Sequence, residues 1–470
     1  MRRLSFVLVF AVTLSACAKA DFPVHTQGDA WDERFQATLA YVEQDMQKNG
    51  VSGAAVAVVV NGRLQASAGL GMASANGTGT VWPTTLFRVA SLSKMVLAAT
   101  AMTFVEEGRL TLSDPVTNYV PLTLAAGFDP TTIPLTTLLD HTSGVPDLDQ
   151  LTCPVGAGQL AAYLNAHVEP LWTQPGQVWN YSNRGFSILG WVLETIGGQP
   201  FESLVGSRIL TPAGMTTATY DVAAAMSVDH AVGSESGKSY DLDAYDCAAQ
   251  HPPAGIMASV LDYASFAVML LASGNGVLQP SSVAAMSTVH ADTDDAPDGA
   301  QGYGYGLQVY QGDNATMLFH GGHLPGFLTA LRLFPAQGFA VVIFYNSGDR
   351  DPGDAAQQAA RIYLGEHITD GPQGVPATSK WDGYAGTYVD TLELGTIRVI
   401  FDGFNHLYAT NSAPPSGRML APDVPLQPLD GDQFNLTLAD GNQEAVTFYP
   451  SANAPSQWFV TRLGVGARQP

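Results

Sequence analysis

Ser91 and Lys94 lie three residues apart in Phe87-Arg88-Val89-Ala90-Ser91-Leu92-Ser93-Lys94, directly ahead of the apolar run Met95-Val96-Leu97-Ala98-Ala99. Positions i and i+3 share a helix face, so this spacing predicts the Ser91 hydroxyl beside the Lys94 amine at a helix start. A serine hydroxyl is a poor nucleophile until a neighbour takes its proton, and a lysine does so when burial lowers its pKa. The plain alternative is a serine that caps the helix and a lysine whose head reaches solvent. Lysine is scarce, however. Only Lys19, Lys48, Lys94, Lys238 and Lys380 occur, and Lys94 alone borders a long apolar helix.

Two other segments carry residue types that complete such a site. In Pro175-Gly176-Gln177-Val178-Trp179-Asn180-Tyr181-Ser182-Asn183 a phenol and a carboxamide stand two residues apart ahead of an apolar helix. A tyrosine hydroxyl shuttles protons, and an asparagine holds a substrate amide or orients the lysine. The plain reading is a tyrosine buried by its ring and Asn183 as a helix cap. In Phe319-His320-Gly321-Gly322-His323-Leu324-Pro325-Gly326-Phe327, glycines lead into a strand, where a substrate approaches the backbone and an N–H can bind an oxyanion. His320 and His323 lack a third ligand of suitable spacing for a metal, and the reading calls for no cofactor.

The elements that position these groups are legible from periodicity. Phe35, Leu39, Val42 and Met46 recur at helical spacing over residues 31–49, and Gly50 ends the run. Residues 54–60 and 63–71 read as a hairpin around Asn61-Gly62. The helix carrying Lys94 is predicted to reach Glu107 and stop at Gly108. Residues 185–196 read as an apolar helix, 327–334 and 339–345 as strands, and 355–364 as a final helix. Strands thus gather at both sequence ends of residues 30–366. That pattern predicts an α+β fold in which N- and C-terminal segments form an antiparallel sheet flanked by helices, with a helical lobe inserted and a cleft between lobes. Residues 367–380 form a Pro/Gly/Thr-rich linker, and 381–470 read as a small all-β domain, a barrel or a sandwich.

The chain has 470 residues, 46% hydrophobic and 13% charged, with a net charge of -22. This is a globular composition, and its acidity disfavours nucleic acid and anionic membrane surfaces as partners. A small-molecule or peptide substrate fits better. Residues 1–20 read as an export signal: Arg2 and Arg3 precede an apolar run over 4–16. Leu14-Ser15-Ala16-Cys17 resembles a bacterial lipobox that would tether the protein through lipidated Cys17, and cleavage after Ala20 is the competing reading. Either route predicts a periplasmic or cell-envelope protein. Cys153 and Cys247 then remain as a candidate disulfide.

Taken with their order along the chain, these motifs resemble the serine β-lactamase-like hydrolases: class C β-lactamases, DD-peptidases, D-aminopeptidases and family esterases. Ser91-Leu92-Ser93-Lys94 is similar to the first motif, Tyr181-Ser182-Asn183 to the second and His320-Gly321-Gly322 to the third. Supporting segments include His141-Thr142-Ser143-Gly144, read as a structural turn, and Gly255-Ile256-Met257-Ala258-Ser259 through Asp262, read as a helix cap. The resemblance implies acylation of Ser91, proton transfers shared by Lys94 and Tyr181, substrate binding by Asn183, and an oxyanion hole from the N–H groups of Ser91 and His323.

The third motif departs from the family pattern, which has Lys-Thr-Gly, Lys-Ser-Gly or His-Thr-Gly. Gly321 removes the hydroxyl, and His320 is only partly charged near neutrality. A substrate carboxylate would lose a charge-assisted contact of about 1.5–3 kcal/mol. The sequence therefore predicts an esterase or amidase/aminopeptidase acting on neutral or amine-bearing acyl substrates. The alternatives are a DD-carboxypeptidase or β-lactamase, and a catalytically weak binding or regulatory protein of the same fold.

Overall fold

Strand β2 (Gly53–Val60) shows why the centre of the molecule is layered. Ala54, Val56 and Val58 face one apolar layer and Ala55, Ala57 and Val59 the other, as the two-residue period of a strand requires. Both layers are therefore apolar, and helices cover each face. The computed structural model describes residues 24–27, 32–125, 128–147, 160–166, 170–293, 302–312, 314–365, 378–402, 406–422, 424–429, 433–449 and 456–469. Residues 1–23, which include Cys17, as well as Cys153 and most of residues 367–380, lie outside the described residues.

The main sheet has nine strands. These are β1 (Val24–Gln27), β2, β3 (Arg63–Gly71), β4 (Ala291–Asp292), β5 (Gly302–Tyr303), β6 (Gln308–Gln311), β7 (Thr316–Leu324), β8 (Phe327–Phe334) and β9 (Phe339–Tyr345), in spatial order β1-β3-β2-β9-β8-β7-β6-β5-β4. Every pairing is antiparallel, and β2 lies beside β9 across almost the whole intervening chain. Both ends of this region therefore build one sheet, as its strand pattern predicts. The β2–β3 turn uses Asn61 and Gly62 at φ 52 and 68, left-handed values that asparagine and glycine tolerate best.

Helices α1 (Glu33–Asn49) and α5 (Gly353–Leu364) share one apolar layer with β2, β8 and β9. Asp32 caps α1 by accepting a hydrogen bond from Phe35 N, and Gly50 ends it at φ 70. The opposite layer holds α2 (Ser93–Glu106), α3 (Asn183–Gly197) and α4 (Val260–Leu271). Asp262 accepts from Ser259 N at the head of α4, the capping role read from the sequence. Cys247 is disulfide-bonded. Among the described residues, no helix is long and apolar enough to cross a membrane.

A second sheet closes the chain. Its strands are β10 (Gly386–Asp390), β11 (Gly395–Phe401), β12 (Leu407–Ser412), β13 (Gln427–Pro428), β14 (Gln433–Thr437), β15 (Gln443–Tyr449), β16 (Trp458–Thr461) and β17 (Gly464–Arg468), in spatial order β12-β11-β10-β17-β16-β15-β14-β13. A bridge between Tyr408 and Pro425 and the bond from Leu426 N to Leu407 O link edge strand β12 to the residues just ahead of the other edge strand, β13. The sheet thereby curls into a barrel around Trp381, Tyr384, Tyr388, Phe434, Phe448 and other apolar side chains. Val460 and Val465 lie outside that core. They pack on Val178, three residues ahead of Tyr181.

Candidate active site

Ser91 is presented by a strained turn held on two sides. Phe87 and Arg88 pair with Ala258 and Met257, and Val89 N bonds Ile256 O at 3.1 Å. Ala90 then takes φ 51, a left-handed value costly for a residue with a Cβ. A short 3-10 turn, Ala90–Leu92, precedes α2, so Ser91 sits just before the helix that carries Lys94 rather than in its first turn. Ser91 remains partly exposed, whereas Lys94 is fully buried. A lysine reaching for solvent is thereby excluded.

The Lys94 amine has three partners. Nζ lies 3.1 Å from Ser91 Oγ, 2.6 Å from Asn183 Oδ1 and 3.1 Å from Pro253 O. Burial pushes its pKa well below the ordinary lysine range; Asp147 opposes that shift and Arg462 reinforces it. An uncharged amine has two hydrogens and one lone pair. The two carbonyl oxygens accept the hydrogens, which leaves the lone pair for the Ser91 O–H.

Asn183 fixes that geometry. Asp147 accepts from Asn183 N at 2.9 Å and from Nδ2 at 3.3 Å, so the carboxamide oxygen must face Lys94. The helix cap is Ser182, whose Oγ accepts from Gly185 N, which frees Asn183 from that duty. Of the two functions read for Asn183, orientation of the lysine is the one its contacts serve. Tyr181 is hydrogen-bonded to Ser91, and its buried phenol has a raised pKa and stays protonated. Its ring centroid is 4.7 Å from Lys94 Nζ.

His141, at φ 63, turns the chain as expected but also braces this site. Its ring lies 4.3 Å from that of Tyr181, and Nδ1 accepts from Ser182 N at 3.0 Å. Burial holds the imidazole uncharged.

The third motif forms the far wall. The pairing of β7 with β6 ends at Phe319, and beyond it His320, Gly321, Gly322 and His323 pair only with β8. At Gly322 an added Cβ would stand 2.3 Å from both Val89 O and Thr329 Oγ1, so this strand lies directly against the Ser91 turn. His320 departs from its expected partial charge. Its Nδ1–H donates to Gly321 O at 2.6 Å, Nε2 accepts from Tyr303 Oη at 2.9 Å, and burial lowers its pKa to about 3. It is neutral, with both nitrogens engaged, and offers a substrate carboxylate nothing. The His323 side chain turns outward, its Nε2 3.6 Å from Glu235 Oε1. Among the described residues no His/Cys/Asp/Glu group could hold a metal ion.

Sequence reasoning missed four contributors: Asp147, the Pro253 carbonyl, Tyr303 and Arg462. Arg462 comes from the β16–β17 turn of the barrel. Its Nε donates to Asp147 Oδ2 at 3.0 Å, its guanidinium lies 5.3 Å from the Tyr181 ring centroid, and Asn180 Nδ2 donates to the neighbouring Thr461 O at 3.0 Å. No local signal marks a lone arginine in a turn. Ser91, Lys94, Tyr181 and Asn183 are thus brought together from two segments, with the His320–His323 strand beside them.

The same arrangement of chain and fold recurs in known proteins. The sequence profile of the Beta-lactamase family matches residues 39–365. A "Putative penicillin-binding protein PbpX" from Bacillus subtilis (strain 168) is 27% identical over 304 residues, covering 64% of this chain and 72% of that protein. "Protein flp" from Staphylococcus aureus (strain NCTC 8325 / PS 47) is 25% identical over 317 residues, 65% of this chain and 61% of its own length. Among solved structures, an octameric penicillin-binding protein homologue from Pyrococcus abyssi superposes with a TM-score of 0.65 at 21% identity, covering 92% of this chain and 100% of that one. SurE superposes at 0.70 and 22% identity, covering 93% of this chain and 99% of its own, so the shared fold includes the barrel region. With the profile spanning well over half its length, this chain belongs to the Beta-lactamase family.

Proposed function

We propose that this protein is an exported serine hydrolase that works through an acyl-enzyme, as an esterase or amidase/aminopeptidase on neutral or amine-bearing acyl substrates. The observation that carries the reading is the buried, uncharged Lys94 amine 3.1 Å from Ser91 Oγ with its hydrogens committed elsewhere. Ser91 Oγ attacks the acyl carbonyl while its proton passes to Lys94. The N–H groups of Ser91 and His323 receive the developing oxyanion. Tyr181, protonated and hydrogen-bonded to Ser91, relays a proton to the leaving group, and water then releases the acyl group. The neutral His320 and the absent hydroxyl at Gly321 support the substrate class. The disulfide at Cys247 supports export, with Cys17 as a lipid tether or cleavage after Ala20.

A second reading, a DD-carboxypeptidase or β-lactamase, is favoured by the name of the penicillin-binding relative. One set of measurements separates the two. Labelling with a fluorophosphonate and with a penicillin, followed by intact-mass analysis, is expected to give an adduct on Ser91 that the Lys94→Ala variant fails to form. Short p-nitrophenyl esters or D-amino acid amides should be turned over faster than nitrocefin or a D-Ala-D-Ala peptide. An unlabelled Ser91, with p-nitrophenyl ester hydrolysis intact in Lys94→Ala, would overturn the hydrolase mechanism; rapid nitrocefin turnover would promote the second reading.

A further inference from the structure

The chain of contacts behind Lys94 does not stop within the hydrolase fold. Lys94 Nζ meets Asn183 Oδ1 at 2.6 Å, Asn183 N and Nδ2 are both held by the Asp147 carboxylate, and Asp147 Oδ2 is held by Arg462 Nε at 3.0 Å. Asp147 is almost wholly covered, with 4% of its side chain exposed, whereas Arg462 is 55% exposed. A covered carboxylate with one cationic partner cannot lose that partner without a large electrostatic change nearby. That partner is contributed from 315 positions along the chain.

We infer that Asp147 and Arg462 are positioning residues for acylation, and that a turn of the C-terminal barrel thereby completes the environment of the Lys94 amine. The inference rests on the reading of Ser91 as nucleophile and Lys94 as its base. Asp147 fixes the orientation of the Asn183 carboxamide, and Arg462 balances the carboxylate charge so that it does not hold a proton on Lys94. The groups facing the amine are Ser91, Tyr181, Asn183, the Phe186 ring and the Pro253 carbonyl. His141 and His320, both neutral, lie close enough to act on its charge. Burial dominates the shift of the amine, and Asp147 and Arg462 are the opposing charges that adjust it. Losing Arg462 leaves Asp147 uncompensated and raises the pH at which the amine becomes free.

The test follows phosphonylation of Ser91 by a fluorophosphonate as a function of pH, read by intact mass. In that reaction Oγ–P forms, P–F breaks, fluoride leaves and the serine proton passes to Lys94. The five lysines also permit a titration of Lys94 in protein carrying 13Cε-lysine, which needs no reaction. In Arg462→Met both midpoints are expected to rise by about one pH unit, with labelling at pH values below the wild-type midpoint slowed about tenfold. Arg462→Lys, which keeps a cation, should recover most of the loss. Val460→Ala loosens the barrel contact without touching charge and should leave the midpoints in place.

Unmoved midpoints in Arg462→Met, or an equal movement in Val460→Ala while calorimetry shows its barrel still docked, overturn the inference. If wild-type Ser91 is never labelled while the Lys94 titration still responds to Arg462→Met, the hydrolase reading fails and the coupling to the barrel stands.

Discussion

At the scale of the residue, the decisive property is a lysine that the fold keeps uncharged. In the unfolded chain Lys94 takes up a proton below its ordinary pKa, and in the folded chain burial prevents this, so falling pH favours unfolding. While the native amine stays neutral, this cost is about 1.4 kcal/mol for each pH unit below the unfolded value. Lys94→Met should therefore abolish labelling of Ser91 while gaining thermal stability relative to wild type, and the gain should widen from pH 9 to pH 7. Calorimetric melting at several pH values checks this, since the carbonyls of Asn183 and Pro253 left unpaired impose a cost without that pH dependence. The third motif permits a gain-of-function test at the same scale. An added Cβ at Gly321 meets nothing nearer than Thr329 O at 3.7 Å, so the backbone there admits a Cβ, and Gly321→Thr is the variant to make. It returns a hydroxyl beside the open edge of β7, and acylation by a carboxylate-bearing penicillin should rise about tenfold, measured as the rate of Ser91 adduct formation.

At the scale of the element, the Ser91 turn and β7 are built as a pair, because Thr329 Oγ1 on β8 donates to Val89 O at 2.9 Å and Gly322 leaves room for both. Gly322→Ala must push these apart, at a cost of about 1–3 kcal/mol. Its melting temperature should fall and its Ser91 labelling should slow, whereas Gly321→Ala next door should melt like wild type. What could be read from the sequence follows the same division. Asn61-Gly62, the alternation of β2 and the helical spacing in α1 are local patterns that report on nearest neighbours, and they yielded the sheet built from both ends of the fold. Ser91, Lys94, Tyr181 and Asn183 were legible because their order and spacing repeat a family pattern. The role of Asn183 was less so: Ser182 and Asn183 both have capping side chains, and only the bond to Gly185 N shows which one caps. His320 was expected to be partly charged because its type says so, but charge depends on burial and on Tyr303, which no spacing reveals.

At the scale of the whole molecule, two lobes that fold around separate apolar cores share one electrostatic site. Asp147 and Arg462 carry no motif because their pairing exists only once the barrel is docked. Docking includes the apolar contact of Val178 with Val460 and Val465, flanked by Trp172, Tyr449 and Trp458, together with the bonds from Asn180 to Thr461 O and from Tyr449 Oη to Asp292 O. Val465 is buried, and an uncharged polar side chain there lacks a partner, which costs about 1–3 kcal/mol in a contact much smaller than either core. Val465→Asn should therefore release the barrel before it unfolds either lobe. Calorimetry is expected to resolve two transitions with the barrel melting first, and the pH midpoint of Ser91 labelling should rise as far as in Arg462→Met. A single transition together with an unshifted midpoint would mean that the docked barrel is held by more than this contact. A split transition with an unshifted midpoint would mean that the hydrolase fold sets the charge of Lys94 by itself.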